Sequence, residues 1–185
     1  MTQCIKWLCI LFFFGACSVG CTSTGWKKDL SEELPLMGHR NWVVVADSAY
    51  PLQTSPGIKT VYAGGDHVEV LRTVLHMIEQ QKHVRPIVFM DHELDYVDEA
   101  YAPGINTLRS QLNATLAGAN VQTLPHEDII KQLDEAGEAF HIVLVKTGLT
   151  LPYTSVFIRL DCGYWSDEAQ NELMKALPKE NSHEQ

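Results

Sequence analysis

Basic residues are scarce in this sequence. Lys and Arg number 14 against 23 Asp and Glu among 185 residues, a formal net charge of -9. A surface with that balance repels phosphate backbones, which excludes generic nucleic-acid binding. Cysteine is scarce where a domain would use it: of five, Cys4, Cys9, Cys17 and Cys21 fall at the start of the chain, and Cys162 stands alone. That distribution excludes an internal disulfide scaffold and a Cys-rich zinc site. The N-terminal apolar run, residues 7–16 (WLCILFFFGA), has ten residues, half the about 20 that span a bilayer. GxGxxG, P-loop, HExxH and GxSxG signatures are all missing, so nothing points to dinucleotide, ATP, zinc-protease or serine-hydrolase chemistry. There is no internal repeat, no low-complexity segment and no composition break. With 45% hydrophobic and 20% charged residues, the chain has the make-up of a globular protein of one domain.

The first twenty residues read as an address. Lys6 precedes the apolar run, and the small residues Ser18-Val19-Gly20 lead to Cys21. The run has the length of a signal-peptide core, and the four residues ending at Cys21 resemble a bacterial lipobox. That resemblance implies cleavage before Cys21, a lipid on its thiol and anchoring in the bacterial cell envelope, facing the periplasm. Residues 21–28 then read as a tether, 29–178 as the folded domain and 179–185 as a flexible tail.

Within the domain, residues 42–46 (WVVVA) form a continuous β-branched run, the pattern of a strand buried on both faces. Further strands are expected at 60–62, 87–90, 121–124, 142–145 and 156–160. Apolar residues at 68, 71, 75 and 78, and again at 105, 108, 112 and 116, recur at helical spacing. Helices are also expected at 29–34, at 127–136 with two acids in its first turn, and from the capping residue Ser166 to 177. Strands alternating with helices, several strands being wholly apolar, predict an α/β layered domain with a largely parallel central sheet.

Polar residues gather at the ends of these strands. Gly38-His39-Arg40-Asn41 precedes the first buried strand and Asp47 follows it. An acid just past the carboxyl end of a buried strand stands where open α/β sheets form their crevices. Pro125-His126-Glu127 opens a helix, and Pro152-Tyr153-Thr154-Ser155 enters the last strand. Asp91-His92-Glu93-Leu94-Asp95 has the surface look of a metal site, but consecutive acids with a single His read as a solvated helix start. Cys162 reads as a small buried hydrophobe.

Gly38-His39, Val43-Val44-Val45-Ala46-Asp47 and Pro51 together resemble the opening motif of the RbsD/FucU family of D-ribose pyranases and L-fucose mutarotases. Lys146-Thr147-Gly148, Pro152-Tyr153 and Val156-Phe157-Ile158 are similar to its closing motif, and His126-Glu127 to its central histidine. The resemblance covers roughly residues 30–163. It implies interconversion of ring forms or anomers of a free monosaccharide, without cofactor or metal. It implies His39 and His126 as proton-transfer groups, with Asp47 binding the sugar or fixing His39. Tyr153, Ser155 and Lys146 would bind the substrate. A ring-shaped homo-oligomer, an octamer or decamer, is implied as well, with Tyr153 reaching a neighbouring subunit's pocket. The chain departs from the motifs at Asn41, Lys146, Leu149 and Ser155, where the family has an acid, Arg, an acid and Asn. Those departures favour an alternative, a sugar-binding or assembly module of the same fold without catalysis.

Overall fold

The computed structural model describes residues 25–177. The expected signal peptide, the lipidation site Cys21 and the tail from residue 179 lie outside the described residues. The elements in chain order are α1 (Gly25–Glu33), β1 (Trp42–Ala46), β2 (Ile58–Tyr62), α2 (His67–Glu79), β3 (Val84–Asp91), α3 (Ile105–Thr115), β4 (Val121–Leu124), α4 (His126–Ala139), β5 (Ile142–Lys146), β6 (Val156–Cys162) and α5 (Asp167–Ala176). No helix among the described residues is long and apolar enough to cross a membrane.

The six strands form one sheet in the order β2-β5-β1-β6-β3-β4. β2, β5 and β1 pair in parallel, as do β3 and β4. β6 lies antiparallel between β1 and β3. Five strands therefore run one way and the last runs against them, the largely parallel sheet expected from the alternating elements.

Period-two alternation assigns the strand residues to two cores. On β1, Val43 and Val45 face the side covered by α1, α2 and α3, where Leu30, Leu71, Val74, Ile78, Ile105 and Leu112 are buried. Trp42, Val44 and Ala46 face α4, against Ile129, Leu133 and Ala136. Every β1 residue is buried, which is why its sequence shows no polar alternation. Edge strand β4 is mostly exposed and only four residues long, a short edge of the kind that limits sheet-to-sheet association.

One helix boundary and the burial of one residue differ from the sequence expectation for a packing reason. α1 begins at Gly25, inside the expected tether, because Trp26 is buried against the first core. Burial of one indole is worth a few kcal/mol, about 2–3, enough to extend the helix back over polar neighbours. Cys162 is half-buried rather than buried, since it closes β6 where the strand leaves the core.

Candidate functional site

The reversed strand sets the geometry. Because β6 runs against its neighbours, its entry segment meets the exits of the other strands at one rim of the sheet. Asp47 follows β1, Asp91 ends β3, Lys146 ends β5, and Pro152, Tyr153 and Ser155 precede β6. His126 opens α4 directly after β4. A cavity of about 390 Å³ at this rim is lined by Asp47, Tyr50, Asp91, His126, Tyr153 and Ser155, among others. Its size lies in the range of small-molecule sites.

Asp47 is locked from two sides. Its Oδ1 accepts from the Ala49 N–H at 2.8 Å and its Oδ2 from the Ser155 hydroxyl at 2.9 Å. The Ser155 oxygen in turn accepts from the Asp47 N–H at 3.1 Å. The loop after β1 is tied to the loop after β5 by the Ser48 N–H donating to the Leu149 carbonyl at 2.7 Å. Asp47 is thus both a turn residue and a cavity wall.

His126 is oriented by an acid that the sequence reading set aside. Its Nδ1 lies 3.0 Å from Oδ2 of Asp91. Asp91 is only 2% exposed, and burial pushes its pKa up to about 6, with the nearby His126 charge pulling the other way. Its second oxygen, Oδ1, is buried without a hydrogen-bond partner. A carboxylate beside Nδ1 favours the tautomer protonated there and leaves Nε2 as the ring nitrogen open to a ligand. Glu93 completes the arrangement, both carboxylate oxygens accepting from the His126 N–H at 3.1 and 3.0 Å. The N–H of Glu93 itself, and then that of His126, hold the Glu93 pKa below the ordinary carboxylate value.

The reading of residues 91–95 as a solvated helix start holds from His92 onward, where a short 3-10 helix runs from His92 to Tyr96 with Glu93 and Asp95 in its first turn, and is corrected at Asp91. Asp91 is the last residue of a buried strand, and its side chain falls on the α4 face with Ile87 and Phe89 by strand parity. The signal was present: four apolar residues ending in an acid, the pattern already weighed for Asp47. His92 meanwhile packs edge-on against Tyr96, ring centroids 5.0 Å apart. Among the described residues no three His, Cys, Asp or Glu side chains come together as a metal site.

Tyr153 stands at the mouth, edge-on to His126 with ring centroids 5.6 Å apart. Its φ of 57° is left-handed for a residue with a Cβ, a conformation that persists only where the surroundings enforce it. Tyr50 is buried, and burial, followed by the charges of Asp134, Asp91 and Asp47, pushes its pKa up to about 12. It is a neutral hydroxyl throughout the physiological range. Lys146 does not line the cavity; its Nζ donates to the Tyr50 carbonyl and holds that loop in place.

His39 lies elsewhere. It precedes β1, at the opposite rim, and β1 alone is about 17 Å long. His39 is 58% exposed at its side chain, with Nε2 3.4 Å from Oδ1 of Asp161. It lines a separate cavity of about 440 Å³ with Arg40, Trp42, Phe140 and Arg159. The guanidinium of Arg159 stacks there over Trp42 and Phe89. Within one chain the structure thus brings Asp47, His126, Tyr153 and Ser155 together and separates them from His39. Asn41 serves the local turn, accepting from the Gly38 N–H at 2.7 Å and donating to the His141 carbonyl at 3.1 Å.

Comparison with solved structures finds three that are similar to this chain. RbsD of Bacillus subtilis, complexed with D-ribose, superposes with a TM-score of 0.51 at 15% identity, covering 72% of this chain and 91% of that one. The fucose mutarotase of Streptococcus pneumoniae, in complex with L-fucose, gives 0.46 at 20% identity, over 72% and 91%. FucU of Bifidobacterium longum gives 0.47 at 13%, over 72% and 94%. No protein of curated function matches the sequence. The family model of the RbsD / FucU transport proteins matches residues 24–163, the span that holds both cavities and all six strands. By fold and by sequence, the chain belongs to the RbsD/FucU family.

Proposed function

We propose that the carboxyl-rim cavity interconverts ring forms of a neutral monosaccharide, without a cofactor. The observation that carries this reading is the His126–Asp91 pair facing the same cavity as the Asp47–Ser155 pair. Mutarotation needs one group to take the proton of the anomeric hydroxyl and another to protonate the ring oxygen. The C1–O1 bond gains double-bond character, the bond from C1 to the ring oxygen breaks, and rotation precedes reclosure. His126 through Nε2 is one transfer group, and Asp91 supports its imidazolium form. Asp47, held by Ser155, is the second carboxylate within reach of the same ligand. The unpartnered Oδ1 of Asp91 and the Tyr50 hydroxyl offer an acceptor and a neutral donor to sugar hydroxyls. The sugar complexes of the two relatives named above support the substrate class.

A role for His39 in this reaction requires a second copy of the chain whose amino rim meets this carboxyl rim. That requirement fits the homo-oligomer implied by the family motifs. The lipid on Cys21 and the periplasmic address belong to the same proposal. Detergent partitioning of the mature chain tests them: recovery in the aqueous phase refutes the anchor.

Magnetisation-exchange NMR on ribose, fucose, galactose and related sugars tests the chemistry. We expect faster exchange for one of them, reduced at least about 100-fold by His126→Ala. The separation of His39 from the cavity favours one competing reading, a sugar-binding module. It predicts saturable binding of the sugar with exchange at the uncatalysed rate.

A further inference from the structure

Beside the rim cavity lies a second groove, lined by His92, Glu93, Tyr96, Val97, Asp98 and Tyr101 and sharing Pro152 and Tyr153 with the first. Tyr96 is 75% and Tyr101 91% exposed. The loop that carries them is tied down by side-chain hydrogen bonds to its backbone. Arg109 donates to the carbonyls of Leu94 and Val97 at 2.7 and 2.9 Å. Glu99 accepts from the N–H groups of Gly104 and Asn106 at 2.6 and 2.9 Å. Leu94 and Ala102 anchor the loop in the first core. Two aromatic rings are therefore displayed to solvent on a fixed platform, and the strained Tyr153 forms the partition between platform and cavity.

The chemistry of the combined site is selective. Asp47, Asp91, Glu93, Asp98 and Glu127 line the two spaces, with no Lys or Arg in either. Phosphorylated and carboxylated ligands are repelled there. Flat exposed rings flanked by hydrogen-bond acceptors suit a ligand with apolar C–H faces and many hydroxyl donors. That description fits a second pyranose ring.

We propose that the groove of Tyr96 and Tyr101 is a second sugar subsite, so that the protein takes the reducing end of a neutral disaccharide or longer glycan. The reducing ring occupies the rim cavity, the glycosidic bond passes Tyr153, and the next ring rests on Tyr96 and Tyr101. This rests on the ring-interconversion reading above and extends its substrate class.

The test uses the full-length chain in a detergent without a sugar headgroup. Anomer exchange is measured by NMR for glucose against cellobiose and maltose, and for galactose against β-1,4-galactobiose. One disaccharide is expected to half-saturate the protein at about tenfold lower concentration than its monosaccharide. Tyr96→Ala and Tyr101→Ala should remove that advantage and leave monosaccharide exchange unchanged. Equal behaviour of each pair, insensitive to both variants, overturns the subsite while leaving the monosaccharide reaction standing. If no sugar exchanges faster, the ring-interconversion reading fails, and equilibrium titration with the same sugars decides the subsite alone. Tighter disaccharide binding lost in both variants upholds it, and equal binding overturns it. Sedimentation of both variants is run in parallel; a changed oligomer assigns the tyrosines to a contact between copies and overturns the subsite.

Discussion

Replacing Asp91 with Asn should weaken catalysis and strengthen the fold at once, by an amount that grows with pH. Asp91 is held at the rim under α4 with one oxygen on His126 and the other unpartnered. Its pKa rises from 3.8 to about 6 chiefly through burial, which corresponds to about 3 kcal/mol of ionisation cost in the folded state. A carboxyl raised on folding binds more protons in the native state than in the unfolded one between those two values. Its contribution is complete below 3.8 and is lost as pH rises through about 6. Asn carries no such cost. The stability of D91N relative to the parent should therefore increase with pH, by about 3 kcal/mol across the whole window and by about half of that between pH 5 and 8. Urea unfolding of both proteins at several pH values measures it. Exchange catalysis should fall on the order of 100-fold, because an Asn amide can present either its carbonyl or its NH₂ to Nδ1 and no longer fixes one tautomer. A stability difference that stays flat from pH 5 to 8 would refute the reasoning, since it would mean that Asp91 ionises in the fold as it does in water.

Other consequences are accessible to the same assays. Ser155→Ala frees Asp47 Oδ2 and leaves the Asp47 N–H without its acceptor; we expect a stability loss of about 1–2 kcal/mol in urea titrations and a KM rise. His67 is buried, and burial lowers its pKa from 6.5. The unfolded state then binds the extra proton, so its contribution is present above 6.5 and lost as pH falls below it. His67→Gln should flatten the slope of stability against pH just below 6.5. Lys146→Met removes the tie to the Tyr50 carbonyl; substrate affinity should fall with little change in the rate at saturation, separable by the split between KM and kcat. Trp26→Ala should cost about 3–5 kcal/mol, measurable as a lowered Tm, because the indole closes the first core.

The sheet was largely legible in the chain. The run 42–46 and the segment 121–124 match β1 and β4 residue for residue, and the capping role expected of Ser166 is made to the Ala169 N–H at 3.1 Å. Apolar periodicity carries such information because a strand or helix must bury its face wherever the chain goes. The reversal of β6 was not legible. Its apolar residues suit either direction, and orientation is decided by which neighbours it joins. That one unknown controlled the reading of the site. Asp47, His126, Tyr153 and Ser155 stand at strand and helix ends in the sequence, and they meet at one cavity. Asp91 is hidden in the sequence by its neighbours His92, Glu93 and Asp95, which look like a solvated cluster, although strand parity turns Asp91 inward. The family resemblance groups His39 with Asp47, but within one chain the buried strand between the two residues keeps them apart.

β6 hydrogen-bonds to β1 on one side and to β3 on the other, and among the described residues no other strand joins those halves. Asp47 belongs to one half, Asp91 and His126 to the other, and Tyr153 and Ser155 to the segment that brings them together. Synthesised late in the chain, that strand is the keystone of both architecture and chemistry. A ribosome-bound chain that has not yet released residue 162 has no complete rim to offer a ligand. Conversely, a ligand that touches both acids pulls the two halves against β6, so occupancy of the cavity should resist the same local opening that slipping of β6 would begin.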